Sequence, residues 1–221
     1  MKIQEEIVMI RCDDIFVDSD VDQFKKICQL IRLYDFDHLI GVTPLGEGKR
    51  LWKDDSKKIW KLPILRSLIN YRIKKICGEK YIGDNMRLIE TLDNEFGRYE
   101  AIPALHGLHH CKYDLLPENK VHKELSTGIK LYEKLFHLKV EVFTPPFQAW
   151  NHQTELVCKN LNLSVDKCVT GFDKSFSNRN NAYIKQLAKL QSSIPEVRYH
   201  PYRLTNLNKF ELYLKTRRKY C

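Results

Sequence analysis

Two pairs of residues in this sequence carry side chains that bind metal ions and move protons. Asp13 and Asp14 follow the apolar segment 7–10, and His106 and His110 stand four residues apart. Two imidazoles and one carboxylate can bind a divalent cation and leave coordination positions open for water and substrate. The second carboxylate can accept a proton from that water. The combination predicts metal-dependent hydrolysis.

Each of these patterns also has a purely structural interpretation. An Asp–Asp pair after a strand is often a turn or a helix cap, and a lone H-x-x-x-H is a weak metal signal. On a helical turn the spacing of four would put His106 and His110 on one face. His109, three residues after His106, is an alternative second ligand. His200 is either a further catalytic group or an ordinary histidine.

The elements that must position these residues alternate between strand and helix. Strands are predicted near 7–10, 38–43, 99–105, 140–143, 164–170 and 194–199, and helices near 21–34, 64–76, 83–97, 118–136, 151–160 and 182–190. This alternation favours a parallel sheet with crossover helices, in which the carboxyl ends of the strands converge on one face. The aspartate pair, the histidine pair and His200 all follow strands. We therefore expect a single α/β domain over 1–221.

The composition favours a folded protein, since the 221-residue chain is 43% hydrophobic and 29% charged. Its net charge is +9, but the basic residues are spread along the chain, and the densest run, 215–219, is interpreted as a solvated end. We therefore expect no nucleic-acid binding.

The cysteines and the apolar segments of the sequence indicate the cellular compartment of the protein. Seven cysteines without a C-x-x-C pair argue against a disulfide scaffold and a zinc ribbon. The first residues lack the apolar stretch of a signal peptide. No segment approaches the roughly 18 apolar residues that span a bilayer. We expect a cytoplasmic protein with reduced thiols and no membrane span.

Three segments resemble the motifs of one family in its order. Residues 12–14, Cys-Asp-Asp, resemble "T-F-D-D"; residues 106–110, His-Gly-Leu-His-His, resemble "H-[ST]-x-x-H"; and residues 143–147, Phe-Thr-Pro-Pro-Phe, resemble "F-R-P-P-Y". Tyr199-His200 corresponds to the family's late strand ending in a histidine. Over 7–201 the chain thus resembles the NodB-type polysaccharide deacetylases, carbohydrate esterase family four.

The resemblance implies a distorted (β/α) barrel of about seven parallel strands and a role for each site residue. Asp14, His106 and His110 would be the ligands of a divalent metal, with zinc favoured over cobalt, nickel or manganese. Asp13 would be the general base, and His200 the general acid that protonates the leaving amine.

The third motif and the residues after it predict which groups would contact the substrate. The backbone N–H of Phe147, after Pro146, would help to hold the oxyanion of the tetrahedral intermediate. Trp150 is either a platform for a sugar ring or a core residue. The substrate implied is an N-acylated, most simply N-acetylated, amino sugar in a cell-surface polysaccharide or its precursor.

Three departures from the motifs leave room for other functions. Thr144 replaces the arginine that pairs with the base, and Arg11, two residues before Asp13 on the same strand face, is a candidate substitute. Gly107 replaces Ser or Thr. The acidic residue of the fourth motif has two candidates, Asp166 and Asp173. A catalytically impaired carbohydrate-binding relative is therefore the alternative, and a nucleic-acid-binding protein is a third hypothesis.

Overall fold

The computed structural model describes residues 9–46, 80–99, 101–166, 196–204 and 206–218. The strands are β1 (Met9–Ile15), β2 (Asp37–Val42), β3 (Leu45–Gly46), β4 (Lys80–Tyr81), β5 (Ile102–Leu105), β6 (Val142–Phe143), β7 (Ser164–Val165) and β8 (Glu196–Tyr199). The helices are α1 (Val21–Leu33), α2 (Met86–Arg98), α3 (Glu118–Phe136), α4 (His152–Asn160) and α5 (Leu207–Arg218). The helices predicted near 64–76 and 182–190, and Asp173, lie outside the described residues.

Six of the strands form one parallel sheet in the order β7-β6-β5-β2-β1-β8. The strands β3 and β4 form a separate antiparallel pair. Parallel neighbours need crossover connections, and α1, α3 and α4 provide those from β1 to β2, from β5 to β6 and from β6 to β7. The predicted α/β class with a parallel sheet is confirmed.

The sheet is curled, as a barrel requires. Strands β1 and β7 are separated by three others, so in a flat sheet they would lie about 19 Å apart at the usual spacing. Nevertheless, the Nη1 atom of Arg11 on β1 lies 2.9 Å from Oδ2 of Asp166, directly after β7. Two side chains cannot reach across that distance in a flat sheet. The predicted distorted barrel fits this curvature.

The residues of β1 alternate between a hydrophobic and a polar environment. Ile10 and Cys12 are fully buried and belong to the hydrophobic core together with Phe24 and Ile27 of α1. Arg11, between them, faces the other side of the strand and forms a buried ion pair. The strand thus contributes one face to the core and the other to the site.

The helices agree with the periodicity of the sequence, except at the chain's basic end. The side chain of Asp20 caps α1 by accepting from the backbone N–H of Gln23, as predicted. The sequence analysis missed α5, which covers Leu207–Arg218 and buries Phe210 and Leu214 completely. Lys215, the first residue of the basic run, is exposed, and the solvated end stays a prediction. No helix in the described ranges has the length and apolar character to cross a membrane.

Candidate active site

The two aspartates lie at the carboxyl end of β1, where its pairing with β2 is irregular. Cys12 pairs with Ile40, but the next pair is Ile15 with Val42, so β1 contains one extra residue there. Asp14 adopts a left-handed conformation with φ 62°. A regular strand would point neighbouring side chains to opposite faces, and a bulge redirects one of them. The site therefore receives both carboxylates.

The carboxylate of Asp14 is surrounded by four polar side chains. Its Oδ1 lies 3.0 Å from Nε2 of His106 and 2.8 Å from Nε2 of His110. Its Oδ2 accepts a hydrogen bond from the hydroxyl of Tyr202 at 3.0 Å and lies 3.2 Å from Nε2 of His200. Burial by itself would raise the pKa of Asp14, but the nearby imidazoles hold it well below its ordinary value. Asp14 is therefore ionised.

His106 is oriented by the backbone of the third motif. The imidazole Nδ1 lies 2.6 Å from the carbonyl oxygen of Thr144 and 2.9 Å from its Oγ1. A carbonyl oxygen only accepts, so Nδ1 carries a hydrogen, and Nε2 is the ring nitrogen on the side of Asp14 that is available to a metal. Metal-binding histidines are commonly oriented in this way. Thr144 thus contacts a predicted ligand, although its side chain cannot reproduce an arginine.

The approach of His110 to Asp14 does not depend on a helical turn. Residues 106–110 form an irregular turn, so the argument from helical spacing does not apply to the histidine pair. Gly107 has φ 78°, and a Cβ there would lie 2.7 Å from the carbonyl oxygen of His109 and 2.8 Å from the hydroxyl of Tyr113. Glycine is thus required where the motif has Ser or Thr.

The turn also separates the two candidate ligands. His109 Nδ1 lies 2.7 Å from Oε2 of Glu124 on α3. His110 instead directs Nε2 at Asp14 and is largely buried. The geometry therefore favours His110 as the second histidine ligand and makes His109 a partner of Glu124.

The residues present fit a divalent metal ion. The ligand atoms of Asp14, His106 and His110 lie within 4.8 Å of one another. Burial lowers the pKa of His110 despite the attraction of Asp14, which favours the neutral imidazole that a metal needs. One carboxylate and two imidazoles form a donor set suited to zinc and to cobalt, nickel or manganese.

Asp13 lies beside this cluster between two arginines. Its Oδ1 accepts a hydrogen bond from Nε of Arg11 at 2.8 Å, and its Oδ2 lies 3.7 Å from Nη1 of Arg198 on β8. Burial by itself would raise the pKa of Asp13, but neighbouring charges, Arg11 first among them, hold it below its ordinary value. Asp13 is thus an ionised carboxylate beside the cluster, as a general base requires.

The Arg11 guanidinium also reaches a second carboxylate. Asp166, one of the two candidates for the acidic residue of the fourth motif, accepts a hydrogen bond from Nη1 of Arg11 at 2.9 Å. The substitute proposed for the missing arginine therefore contacts both Asp13 and Asp166.

Tyr202 belongs to the site but was missed from the sequence. It lies in the 3₁₀ turn Pro201–Arg203, two residues after His200. Its position after a strand-ending histidine is the only signal that the sequence offers, because the contact with Asp14 depends on how this turn folds back over β1.

The third motif forms a strained turn against His110. Phe147 and Gln148 both have left-handed backbones, with φ 58° and 54°, a conformation costly for residues other than glycine. The ring of Phe147 packs edge-on against His110, with centroids 4.4 Å apart, and is 41% exposed. Pro146 is buried and Trp150 is half-buried. The turn thus places the ring of Phe147 against His110, and the backbone N–H of Phe147 as oxyanion donor stays a prediction.

Solved structures with a similar fold include enzymes and a pseudoenzyme. A chitin deacetylase from the fungal pathogen Colletotrichum lindemuthianum matches with a TM-score of 0.61 and 7% identity, over 95% of this chain and 81% of that chain. The family 4 carbohydrate esterase from Streptomyces lividans, in complex with acetate, matches with a TM-score of 0.59 and 12% identity, over 95% of this chain and 86% of that chain.

A mutant of a family 4 carbohydrate esterase pseudoenzyme from Bacillus anthracis, with restored enzymatic activity, matches with a TM-score of 0.65 and 10% identity. The match covers 98% of this chain, which spans less than two thirds (64%) of that protein. No protein-family model and no curated protein matches the sequence. The chain thus has the fold of the NodB-type deacetylases, and the resemblance predicted from its motifs is confirmed at the level of fold.

Proposed function

We propose that this protein is a metal-dependent hydrolase that removes an N-acyl group, most simply acetyl, from an amino sugar. The observation that carries the proposal is one cluster at the carboxyl ends of β1, β5 and β8. There, a complete metal-ligand set lies directly beside an ionised carboxylate and a further histidine. The fold supports the proposal as analogy, because similar structures include deacetylases.

The attack on the acyl carbon needs a water molecule whose pKa is lowered and a base that accepts its proton. A divalent ion held by Asp14, His106 and His110 would supply Lewis-acid chemistry, which polarises an acyl carbonyl and lowers the pKa of water. Asp13 accepts the proton of the attacking water as the new C–O bond forms. The backbone N–H of Phe147 donates a hydrogen bond to the developing oxyanion.

The second half of the reaction breaks the C–N bond. His200 lies at Oδ2 of Asp14, while His106 and His110 lie at Oδ1, so the predicted acid and the predicted ligands occupy different sides of one carboxylate. The Nε2 atom of His200 would give its proton to the leaving nitrogen. The products are acetate and a free amino sugar.

The proposed substrate is an N-acetylated amino sugar in a cell-surface polysaccharide or its precursor. The exposed ring of Phe147 lies in the turn and the half-buried Trp150 follows it closely in sequence, and such rings suit the apolar face of a sugar. A precursor fits the cytoplasmic location that we propose, which the odd number of cysteines without a C-x-x-C pair favours.

The first prediction is that the metal is required for deacetylation. Treating the protein with a chelator should abolish acetate release from N-acetylated amino-sugar oligomers, and zinc, cobalt, nickel or manganese should restore it. Asp13→Asn should keep its metal but lower kcat by about 10²–10⁴-fold, because it removes a general base. Acetate release and metal content by mass spectrometry give the two readouts.

His122→Ala is the matched control, because this histidine is exposed on α3 and contacts no predicted ligand. Full activity after chelation would contradict the metal mechanism. Loss of metal in Asp13→Asn would mean that the roles of the two aspartates are reversed. Sugar binding without acetate release, in metal-loaded protein, would favour the catalytically impaired relative.

A further inference from the structure

Arg198 on β8 brings a second guanidinium to the candidate active site. The next residue, Tyr199, belongs to the hydrophobic core, where its ring packs against Phe210. Successive residues of a strand face opposite sides, so Arg198 shares its face with His200, whose Nε2 lies 3.2 Å from Oδ2 of Asp14. Arg198 therefore faces the site and not the helices that cover the sheet.

The guanidinium of Arg198 is largely enclosed, yet the protein satisfies it poorly. The side chain is 18% exposed, and its Nε is buried without a hydrogen-bond partner among the described residues. Its Nη1 lies 3.7 Å from Oδ2 of Asp13, which is too far for a hydrogen bond. A cation that leaves water costs free energy unless acceptors replace the water. An acceptor from outside the protein would supply what Arg198 lacks here.

The neighbouring arginine makes an anion the natural acceptor. Arg11 on β1 is the register partner of Arg198, so the two side chains enter the site at the same level. Arg11 already donates to Asp13 at 2.8 Å and to Asp166 at 2.9 Å. Two guanidinium groups side by side repel each other. A bound anion would lower that repulsion and accept the unused hydrogen bonds of Arg198.

The level of Arg198 in the sheet identifies the part of a substrate that it would meet. His200, the proposed acid at the leaving nitrogen, lies two residues nearer the carboxyl end of β8, about 7 Å along the strand. A secondary amide is planar and trans, so its two substituents point in opposite directions. With the sugar at the open face beside the exposed ring of Phe147, the acyl chain extends inwards to the level of Arg198.

We propose that Arg198 binds a carboxylate at the far end of the acyl group, so that the preferred substrate is an amino sugar N-acylated by a short dicarboxylic acid. The inference rests on the proposed function and names the acyl group that this site removes. An acetyl methyl accepts no hydrogen bond, whereas a carboxylate accepts from the planar fork of an arginine. Hydrolysis consumes one water, breaks the C–N bond, and releases the dicarboxylate and the free amine.

The first test compares N-succinylglucosamine with N-acetylglucosamine, which differ only in the acyl group. Release of the free amine measures both reactions. In wild type, kcat/KM should be about 10–100-fold higher for the succinyl compound, as for a hydrogen bond between charged groups. Arg198→Leu should lose this preference, and Arg198→Lys should keep part of it, because lysine retains the charge but not the fork. The ratio between substrates is decisive, since a changed charge near Asp13 affects both reactions alike.

A binding measurement gives a readout without turnover. Succinate and butyrate have the same chain length and share the carboxylate that hydrolysis would form, but only succinate carries a second one. Isothermal titration calorimetry on wild type should give succinate a Kd at least about 10-fold lower than that of butyrate, and Arg198→Leu should bind both equally. Arg87→Leu is the matched control, since it removes the same charge at an exposed ion pair with Asp22 and should keep the preference.

The outcomes separate this inference from the proposed function. Equal kcat/KM for the two substrates in an active wild type, or a preference that survives in Arg198→Leu, would overturn the inference alone. Faster hydrolysis of N-acetylmuramic acid than of N-succinylglucosamine would place the carboxylate on the sugar side of the amide and would also overturn it. A metal-loaded wild type that hydrolyses none of these compounds would contradict the proposed function. The succinate and butyrate affinities would then decide the role of Arg198, and equal affinities refute it.

Discussion

Two clusters among the described residues contain the residue types that bind metal ions: one lies at the carboxyl ends of the strands, and the other is formed by residues of α1, β2 and α2. One consists of Asp14, His106 and His110, and the other of Cys28, His38 and Glu95. In each, the three ligand atoms lie within 4.8 Å of one another. By residue type and proximity alone, both would be metal sites.

The surroundings of the second cluster oppose metal binding. Nη1 of Arg32 lies 2.6 Å from Oε1 of Glu95 and also contacts Oε2, so this carboxylate already has a cation. Burial, and then the charge of Glu95, raise the pKa of the Cys28 thiol well above its ordinary value, so the thiol keeps its proton. His38 Nε2 lies 3.1 Å from the hydroxyl of Tyr199. A neutral thiol and a neutralised carboxylate are poor ligands.

The first cluster differs in charge state and in orientation. Asp14 is ionised, and the only cations that contact it in the described chain are imidazoles that can lose their protons. A carbonyl oxygen fixes the tautomer of His106. The comparison indicates that the neighbours of the ligands, rather than the ligand types, decide where a metal binds.

The largest expected effect separates the clusters by metal content. His110→Ala should lower metal affinity by more than about 100-fold, because losing a ligand costs more than losing an outer partner. Cys28→Ala should keep one equivalent of metal, as should wild type, measured by mass spectrometry after dialysis. Two equivalents in wild type that fall to one in Cys28→Ala would break the comparison.

The sequence predicted the composition of the first cluster but only part of its geometry. Arg11 and Asp13 share a strand face by their spacing of two, so their contact followed from the period of a strand. The redirection of Asp14 did not, because it requires a bulge with a left-handed backbone at a residue other than glycine. Local propensities do not reveal such strain, which the surrounding fold maintains.

The remaining differences arise from contacts between distant segments. The ambiguity between His109 and His110 depends on the turn at Gly107, which Tyr113 shapes from outside the motif. Tyr202 reaches Asp14 only because a 3₁₀ turn packs on β1. Element boundaries shifted by a few residues at α2, predicted from 83 and observed from Met86, whereas α1, begun by the cap at Asp20, was predicted nearly as observed.

A smaller loss of metal affinity is expected when a neighbour of Asp14 is changed. It would test whether the partners of the acidic residue distinguish the first cluster from the second. Tyr202→Phe removes only the hydroxyl that donates to Oδ2 of Asp14. Outer partners of this kind typically contribute 10–100-fold to metal affinity, and we expect about 10-fold for this one hydrogen bond. Chelator competition on the purified protein measures the loss. Tyr34→Phe, which removes a 3.2 Å contact with Glu211, is the control.

Unchanged metal affinity in Tyr202→Phe would mean that the three histidines around Asp14 position it without the tyrosine. A loss equal to that of His110→Ala would instead make the tyrosine a ligand, and the three-residue description of the cluster would be wrong.

The smallest expected effect is a change in the free energy of unfolding with pH, which arises from His38 in the second cluster. Burial, helped by the charge of Arg32, lowers the pKa of His38 to about 3. The unfolded chain, with a histidine pKa of about 6.5, binds a proton that the folded chain does not. Stability is therefore full above pH 6.5 and falls as the pH falls towards 3, by about 1.2 kcal/mol between pH 6 and pH 5.

His38→Gln tests this, because glutamine places an amide near the Nε2 position beside Tyr199 but does not titrate. Urea unfolding at pH 6 and pH 5 should give wild type the steeper loss, while the contributions of Glu95, Arg32 and Cys28 are common to both proteins. Equal losses would mean that His38 is protonated in the folded protein. The second cluster would then contain a charged imidazole, and the difference in charge state between the residues of the two clusters would be wrong.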